Sequence, residues 1–141
     1  MSTPTYADVQ VGDALPSVDV QVRRADLIRY AGASGDFNPI HWNARHATAV
    51  GLPDVIAHGL LSMAVAGRVL TAWVNDPGAL CDYAVRFTNP VVVADDEQGA
   101  WVKVTGRVAA KLDDKHVRVE LTATCADAKI LGAAKAVLRL P

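Results

Sequence analysis

Alternating apolar and polar residues mark four stretches of this chain as strands. In residues 18–22 valine alternates with a polar residue, which predicts an early strand. Three later stretches show the same period of two: 83–87, 102–106 and 117–123. Each pattern is typical of a strand with one buried face and one solvated face. Polar or small connectors at 113–115 and 126–128 separate three runs: the one that ends before 113, the one at 117–123 and one that follows 128. We expect these last three strands to form an antiparallel meander.

Two short helices and one long helix are predicted between these strands. Residues 24–31 form an amphipathic pattern that should end at Gly32, and residues 43–50 are mildly helical. The long helix runs from Gly59 to about Asn75, and a single residue in it is charged. A helix with apolar side chains nearly all round is a buried helix. The order of elements therefore predicts an α+β fold, in which an antiparallel sheet of about five strands wraps around a long buried helix.

The bulk properties narrow the class of protein. At 141 residues the chain is expected to form one domain, spanning 1–141, that buries roughly 70% of its unfolded surface. The net charge is −1 with both signs interspersed, which argues against nucleic acid and membrane surfaces as partners. Because no stretch has the pattern of a signal peptide or a membrane span, we expect a cytoplasmic protein. Cys81 and Cys125 lack the spacing of metal ligands and are expected to fill space in strands.

The strongest candidate for chemistry is a carboxylate and an imidazole on one glycine-led turn. Asp36 follows Gly35, and His41 comes after the turn or helix-start dipeptide Asn38-Pro39. Alone, Asp36 could be a turn carboxylate that accepts backbone N–H bonds, and His41 a partly buried imidazole bonded to a carbonyl. Together they favour catalysis, because histidine is the side chain that gains or loses a proton near neutral pH.

The neighbourhood of this turn carries a family resemblance. Residues 30–41, followed by Ala47, resemble the signature of the R-specific enoyl hydratases, also called MaoC-like dehydratases or hydratase 2. A second element of that family, Ala-His-Gly at the head of a long apolar helix, stands at 57–59, with Ser62 one turn later. Within the family the chain is most similar to the branch of beta subunits of mycobacterial-type (3R)-hydroxyacyl-carrier-protein dehydratases. The resemblance implies a single hot-dog fold and the reversible dehydration of (3R)-hydroxyacyl thioesters to trans-2-enoyl thioesters in fatty acid elongation.

The resemblance also implies what the protein binds. The substrate would be an acyl thioester of coenzyme A or of acyl carrier protein, with no cofactor and no metal. A metal site built from Asp36, His41, His46 and His58 is disfavoured, because the spacings match no zinc or iron pattern. The sequence holds no phosphate loop, nucleophile elbow or dinucleotide fingerprint. Five arginines are candidates to meet the phosphate of a phosphopantetheine arm or an acidic carrier protein: Arg23, Arg24, Arg45, Arg68 and Arg86.

Each chemical step of the hydratase reaction has a candidate group in the sequence. In the hydration direction His41 is assigned to deprotonating water, and Asp36 to holding and orienting that water and as a candidate to return a proton to C2, although the two residues could divide these roles differently. The backbone N–H of Gly59, at the positive end of the long helix, is the oxyanion-hole candidate. Ser62 lies on the same helical face and could orient His58, the substrate or the water, or could simply be a small packed residue. Asn38 is expected to cap a helix start and is a candidate to bond in the site.

Supporting parts are expected around these groups. His58 should cap the long helix or stand as a supporting imidazole behind the catalytic groups, and His116 should lie on the surface. The acyl tail should enter an apolar tunnel under the segment 42–56. A helix about 25 Å long that is apolar on every side needs more cover than one sheet gives, so we expect a dimer. The resemblance implies edge-to-edge pairing, as a homodimer or as a heterodimer with a related hot-dog subunit, with active sites at the interface.

Other functions stay open at this stage. In a hot-dog thioesterase Asp36 would activate water against the thioester carbonyl itself, and product analysis separates that reaction from hydration. The chain could instead be an acyl-binding or structural subunit whose partner performs the chemistry. A third possibility is that this chain is the catalytic half of a heterodimeric dehydratase and needs its partner for activity.

Overall fold

A computed structural model describes residues 3–141 and contains one sheet and one long helix. Its helices and strands are, in chain order, β1 (Ala14–Val22), α1 (Arg24–Ser34), α2 (Ala44–Ala49), α3 (Gly59–Val74), β2 (Leu80–Phe87), β3 (Ala100–Lys111), β4 (His116–Cys125), β5 (Ala128–Lys129) and β6 (Leu131–Arg139). Single turns of 3₁₀ helix lie at Pro39–His41 and Pro77–Ala79. The four strands and three helices expected from the periodicity are all present, with ends that differ by up to five residues from the expected ones.

The strands form one antiparallel sheet in the order β1-β3-β4-β6-β2, and the two-residue β5 pairs with β4. The predicted meander of the last three long strands is confirmed by the β3–β4 and β4–β6 pairings. Helix α3 crosses the face of this sheet and contacts β1, β2 and β3. The core between them consists mainly of valine, leucine and alanine, including Val65, Val69, Leu70, Val102, Val104, Val119, Ala136 and Leu138. The predicted α+β arrangement is therefore correct, with six strands counting β5.

Helix α1 ends later than its sequence suggested. Gly32 lies inside the helix, and the helix closes instead at Gly35, whose φ of 77° is left-handed and whose N–H donates to Ala31 O at 2.9 Å. Both glycines could end a helix, but only Gly35 adopts the left-handed conformation that caps one. The correction matters for the site, because this turn directs the chain into Asp36.

Helix α3 is not covered on every side in the single chain. Leu60 is 61% exposed, and Ala64, Arg68 and Ala72 follow it at intervals of four residues on the same exposed face. The sheet thus covers one side of the helix and leaves this face exposed in the single chain, because one sheet can cover only one side of a helix. The dimer expected to cover it stays a prediction. Within residues 3–141, no helix is long and apolar enough to cross a membrane.

Candidate active site

Asp36 lies on the loop that begins where α1 closes. One of its carboxylate oxygens, Oδ1, accepts the N–H of Asn38 at 3.1 Å, which is the turn-capping role that a carboxylate can play in any such loop. The Asp36 N–H is bonded in turn to the hydroxyl of Ser34 at 3.2 Å. The second oxygen, Oδ2, points toward His41, and the side chain is about half exposed. Asp36 therefore keeps one oxygen for the turn and one for the site.

Asn38 fixes the next turn of the chain. Its side-chain oxygen accepts the N–H of Ile40 at 3.2 Å and caps the 3₁₀ helix Pro39–His41, with Pro39 as the first residue. The fixed φ of proline and its missing N–H suit that position. The capping role expected of Asn38 is confirmed. Its direct bonding to a substrate stays a prediction.

His41 is buried and its ring has a defined tautomer. Its Nδ1 lies 2.7 Å from the carbonyl oxygen of Ile56, and because a carbonyl only accepts, Nδ1 carries the hydrogen. The neutral ring therefore has its lone pair on Nε2. That nitrogen lies 3.8 Å from Asp36 Oδ2, a gap too long for a direct hydrogen bond and typical of groups bridged by another polar atom. The basic nitrogen and the free carboxylate oxygen thus face one another.

His58 packs directly behind this pair. Its ring stacks on His41 with centroids 3.8 Å apart and planes 23° apart, and its Nε2 donates to the Asp36 carbonyl oxygen at 3.0 Å. The side chain makes no capping bond to α3, so of the two roles expected of it only the supporting one fits. Burial lowers the pKa of His58, although the bond to Asp36 acts in the opposite direction.

Helix α3 begins beside these groups. Gly59 is the first residue of the helix, so the Gly59 N–H has no acceptor within the helix and lies at the N-terminus, where the helix dipole is positive. A side chain at Gly59 would meet the ring of Phe87 at 3.2 Å, so the backbone here is approached closely. Ser62, one turn on, is buried, and its hydroxyl lies 3.4 Å from the carbonyl oxygen of His58.

A pocket of about 330 Å³ is lined by His41, Gly59 and Ser62, whereas Asp36 and Asn38 are not among the residues that line it. Its remaining walls are mostly apolar and consist of Ile40, Ile56, Ala57, Phe87, Thr88, Asn89, Pro90, Val91 and Ile130. Larger depressions of about 390, 460, 550 and 740 Å³ lie elsewhere, but they are lined by none of Asp36, Asn38, His41, Gly59 and Ser62. The pocket at His41 is therefore the place where the predicted chemistry and a cavity meet.

The wall of this pocket differs from the expected tunnel. Within the segment 42–56 only Ile56 lines it, whereas residues 87–91 form the opposite side. Sequence reasoning missed that side, and its one signal was the turn dipeptide Asn89-Pro90 after a strand. None of the five candidate arginines lines the pocket. Arg24 has a structural role, because it forms an ion pair with Asp54 at 2.9 Å and donates a hydrogen bond to the carbonyl oxygen of Val93.

Asp36, His41 and His58 are close enough to be considered as metal ligands, with one donor atom of each within 4.8 Å of the others. The stacking of the two imidazoles opposes this use. A metal lies about 2.0–2.1 Å from a ring nitrogen, along its lone pair and so in the ring plane, and two nearly parallel stacked planes do not converge on one ion. The Nε2 of His58 is also engaged with Asp36 O. The geometry therefore fits proton transfer better than metal binding.

The chain is similar in sequence and in structure to known proteins. Residues 8–125 match the family model described as MaoC like domain. An (R)-specific enoyl-CoA hydratase from Rhodospirillum rubrum is 33% identical over 122 residues, which are 86% of this chain and 81% of that protein. The 3-hydroxyacyl-thioester dehydratase X of Mycobacterium tuberculosis is 38% identical over 78 residues, which are 55% of this chain and 27% of that protein.

Among solved structures, a MaoC-like dehydratase superposes with a TM-score of 0.94 at 41% identity, covering 99% of this chain and 43% of that one. This chain thus spans less than half the length of that dehydratase, and the matched part spans about a quarter of the mycobacterial one. The likeness in structure confirms the hot-dog fold, and with the matched family model it shows that the chain belongs to the MaoC-like domain family.

Proposed function

We propose that this protein interconverts (3R)-hydroxyacyl thioesters and trans-2-enoyl thioesters, as a hydro-lyase of fatty acid elongation. The observation that carries the proposal is the free Nε2 of His41, which faces Asp36 Oδ2 across 3.8 Å, while His41 and Gly59 line one pocket. The names of the relatives, an enoyl-CoA hydratase and a 3-hydroxyacyl-thioester dehydratase, support the same reaction.

In the hydration direction, a water molecule sits between His41 Nε2 and Asp36 Oδ2. His41 is the better base for it, because its Nδ1–H is anchored on Ile56 O and only Nε2 is left to accept a proton. The oxygen of the water adds to C3 of the enoyl thioester, and the electron pair moves to the thioester oxygen as an enolate. The Asp36–His41 pair then returns one proton to C2, so that the elements of water are added across the double bond.

The enolate needs a hydrogen-bond donor at the moment it forms. The N–H of Gly59 is free of an intrahelical acceptor and stands at the positive end of α3. Donors of this kind are typically worth about 10²–10³ in rate. Ser62 lies within the same pocket and is positioned to bond the substrate or the water.

The pocket itself suits a small acyl thioester. Its volume of about 330 Å³ and its wall of Ile56, Val91 and Ile130 fit an apolar acyl group, near the lower end of typical ligand pockets. The coenzyme A or acyl carrier protein would remain outside the pocket. The whole chain, 1–141, acts as one hot-dog domain in this proposal.

We also propose that the active form contains a second hot-dog subunit, either a copy of this chain or a related one. The exposed face of α3 supports this, because the apolar residues Leu60, Ala64 and Ala72 lie on a side of the helix that the sheet does not cover. The length of the relatives agrees, since the solved dehydratase is more than twice as long as the part that this chain matches.

The proposal is tested by adding the purified chain to short trans-2-enoyl coenzyme A and following the loss of enoyl absorbance, with the mass of the assembly measured in parallel. We expect hydration by the wild type, its near loss in His41→Ala, and full activity in His46→Ala, a matched control on the exposed surface of α2. Release of free coenzyme A thiol at the same rate would identify a thioesterase instead. No hydration by a well-folded homodimer would contradict a self-sufficient enzyme and require assay with a related hot-dog subunit.

A further inference from the structure

His58 contacts more of the site than any role assigned to it so far explains. It is 1% exposed and precedes Gly59 directly in the chain. Its Nε2 donates to the carbonyl oxygen of Asp36 at 3.0 Å, its ring stacks on that of His41 with centroids 3.8 Å apart, and the centroid of the tilted Tyr30 ring lies 4.7 Å from its own. One residue therefore touches the segment that carries the carboxylate and the ring that carries the base, and it adjoins the oxyanion donor.

We propose that His58 is a positioning residue, which holds Asp36 and His41 in register with Gly59 and does so as a neutral imidazole throughout turnover. The proposal rests on the function proposed above. His58 is 1% exposed and its Nε2–H is already bonded to the Asp36 carbonyl oxygen, so it acts through its neighbours and not on the substrate.

The need for such a residue follows from how the other groups are held. Asp36 is bonded locally, to Asn38 and Ser34, and these bonds fix its turn but not its distance from α3. His41 is anchored on Ile56, on a different segment of the chain. The bond from His58 to the Asp36 carbonyl joins the start of α3 to that turn. A displacement of about 1 Å between reacting groups can cost about 10²-fold in rate.

The neutral state of His58 follows from its surroundings. The carbonyl of Asp36 places the hydrogen on Nε2, and Nδ1 is buried without a partner among the described residues. Protonation would therefore bury an N–H that has no acceptor. The titratable groups that face the ring are Tyr30 from α1, the Asp36 carboxylate from the loop and His41 from the 3₁₀ helix. A cationic His58 stacked on His41 would oppose the imidazolium that forms when His41 takes a proton from water.

Two variants separate the hydrogen bond from the ring. His58→Gln keeps an amide N–H near the position of Nε2 but removes the stacked ring, whereas His58→Phe keeps a ring and removes the donor. We expect His58→Phe to lower kcat by about 10–100-fold with KM changed by less than about 3-fold. His58→Gln, which keeps a donor for the Asp36 carbonyl, should recover most of the kcat that is lost with that hydrogen bond. Amide hydrogen exchange should rise at 36–41 in the Phe variant and stay near wild type in the Gln variant.

A readout that needs no activity is ¹⁵N NMR of the histidine side chains. In wild type we expect His58 to show the neutral Nε2–H signature at neutral pH and to keep it to lower pH than an unstructured histidine, whose reference pKa is about 6.5. Wild-type kcat in a folded His58→Phe variant, or equal losses in both variants with unchanged exchange at 36–41, would overturn the proposal. An NMR signature of a charged His58 would overturn its neutral state. If the wild type shows no hydration even in the presence of a related hot-dog subunit, the proposed function fails, and the exchange and NMR results still decide whether His58 positions Asp36 and His41.

Discussion

Asp36 offers a substitution that separates a structural role from a catalytic one. Its Oδ1 accepts the Asn38 N–H at 3.1 Å, and its Oδ2 faces His41 at 3.8 Å. Asp36→Asn keeps a carbonyl oxygen for the turn and places an NH₂ group, which cannot accept, where Oδ2 stood. Asp36→Ala removes both. The pair of variants therefore distinguishes a carboxylate that only closes a turn from one that handles the catalytic water.

The expected magnitudes differ between stability and rate. A hydrogen bond of this type contributes about 0.5–1.5 kcal/mol to the free energy of unfolding, and at a half-exposed side chain we expect the lower end for Asp36→Ala. Asp36→Asn should change that free energy by less. Both variants should lower kcat/KM for enoyl-thioester hydration by about 10²–10⁴-fold. Denaturant unfolding and initial rates measure the two quantities. An Asp36→Asn variant with wild-type kcat/KM would show that the carboxylate serves the turn alone and would refute its catalytic role.

Three further predictions concern the neighbouring groups. Gly59→Ala should keep the fold, because its methyl meets only the half-exposed Phe87 ring at 3.2 Å, yet lower kcat/KM at least about 10-fold by crowding the N–H; unchanged kinetics would argue against this oxyanion donor. Treatment with a strong chelator should leave the rate of hydration unchanged, and recovery only on adding a metal would contradict a metal-free site. Burial lowers the pKa of His58 below its unfolded value near 6.5, so the unfolded chain takes up this proton before the folded protein does. The part of the free energy of unfolding that depends on a neutral His58 is therefore complete above about pH 6.5 and is lost as the pH falls further. The fall in Tm between about pH 7.5 and 5.5 should therefore be smaller in His58→Gln, and an equal fall would contradict this sign.

The strands and the long helix could be predicted because their signals are local. The alternation at 117–123 and the apolar run after Gly59 each show in a short window of sequence, and β4 and α3 follow them. The end of α1 could not be settled in this way. Gly32 and Gly35 are equally good helix terminators in sequence, and only the backbone conformation at Gly35 distinguishes them. The exposure of Leu60 likewise depends on which surfaces remain after the sheet has covered α3.

In the candidate site, too, local features could be predicted and contacts between distant segments could not. Asp36, Asn38 and His41 belong to one short turn, so their proximity follows from the chain itself. The stacking of His58 on His41 depends on where α3 begins relative to that turn, and no local pattern encodes it. The pocket wall at 87–91 arises because the end of β2 approaches the start of α3. These contacts join residues distant in sequence, which is why they were missed or assigned to the wrong segment.

The most direct test of the account is the product formed from trans-2-enoyl coenzyme A in deuterated water. Hydration by the Asp36–His41 pair should give the (3R)-3-hydroxyacyl thioester with one solvent deuterium at C2 and the thioester intact, and His41→Ala should give almost none. A (3S) product or a free acid formed by the wild type would contradict the reaction proposed for this site.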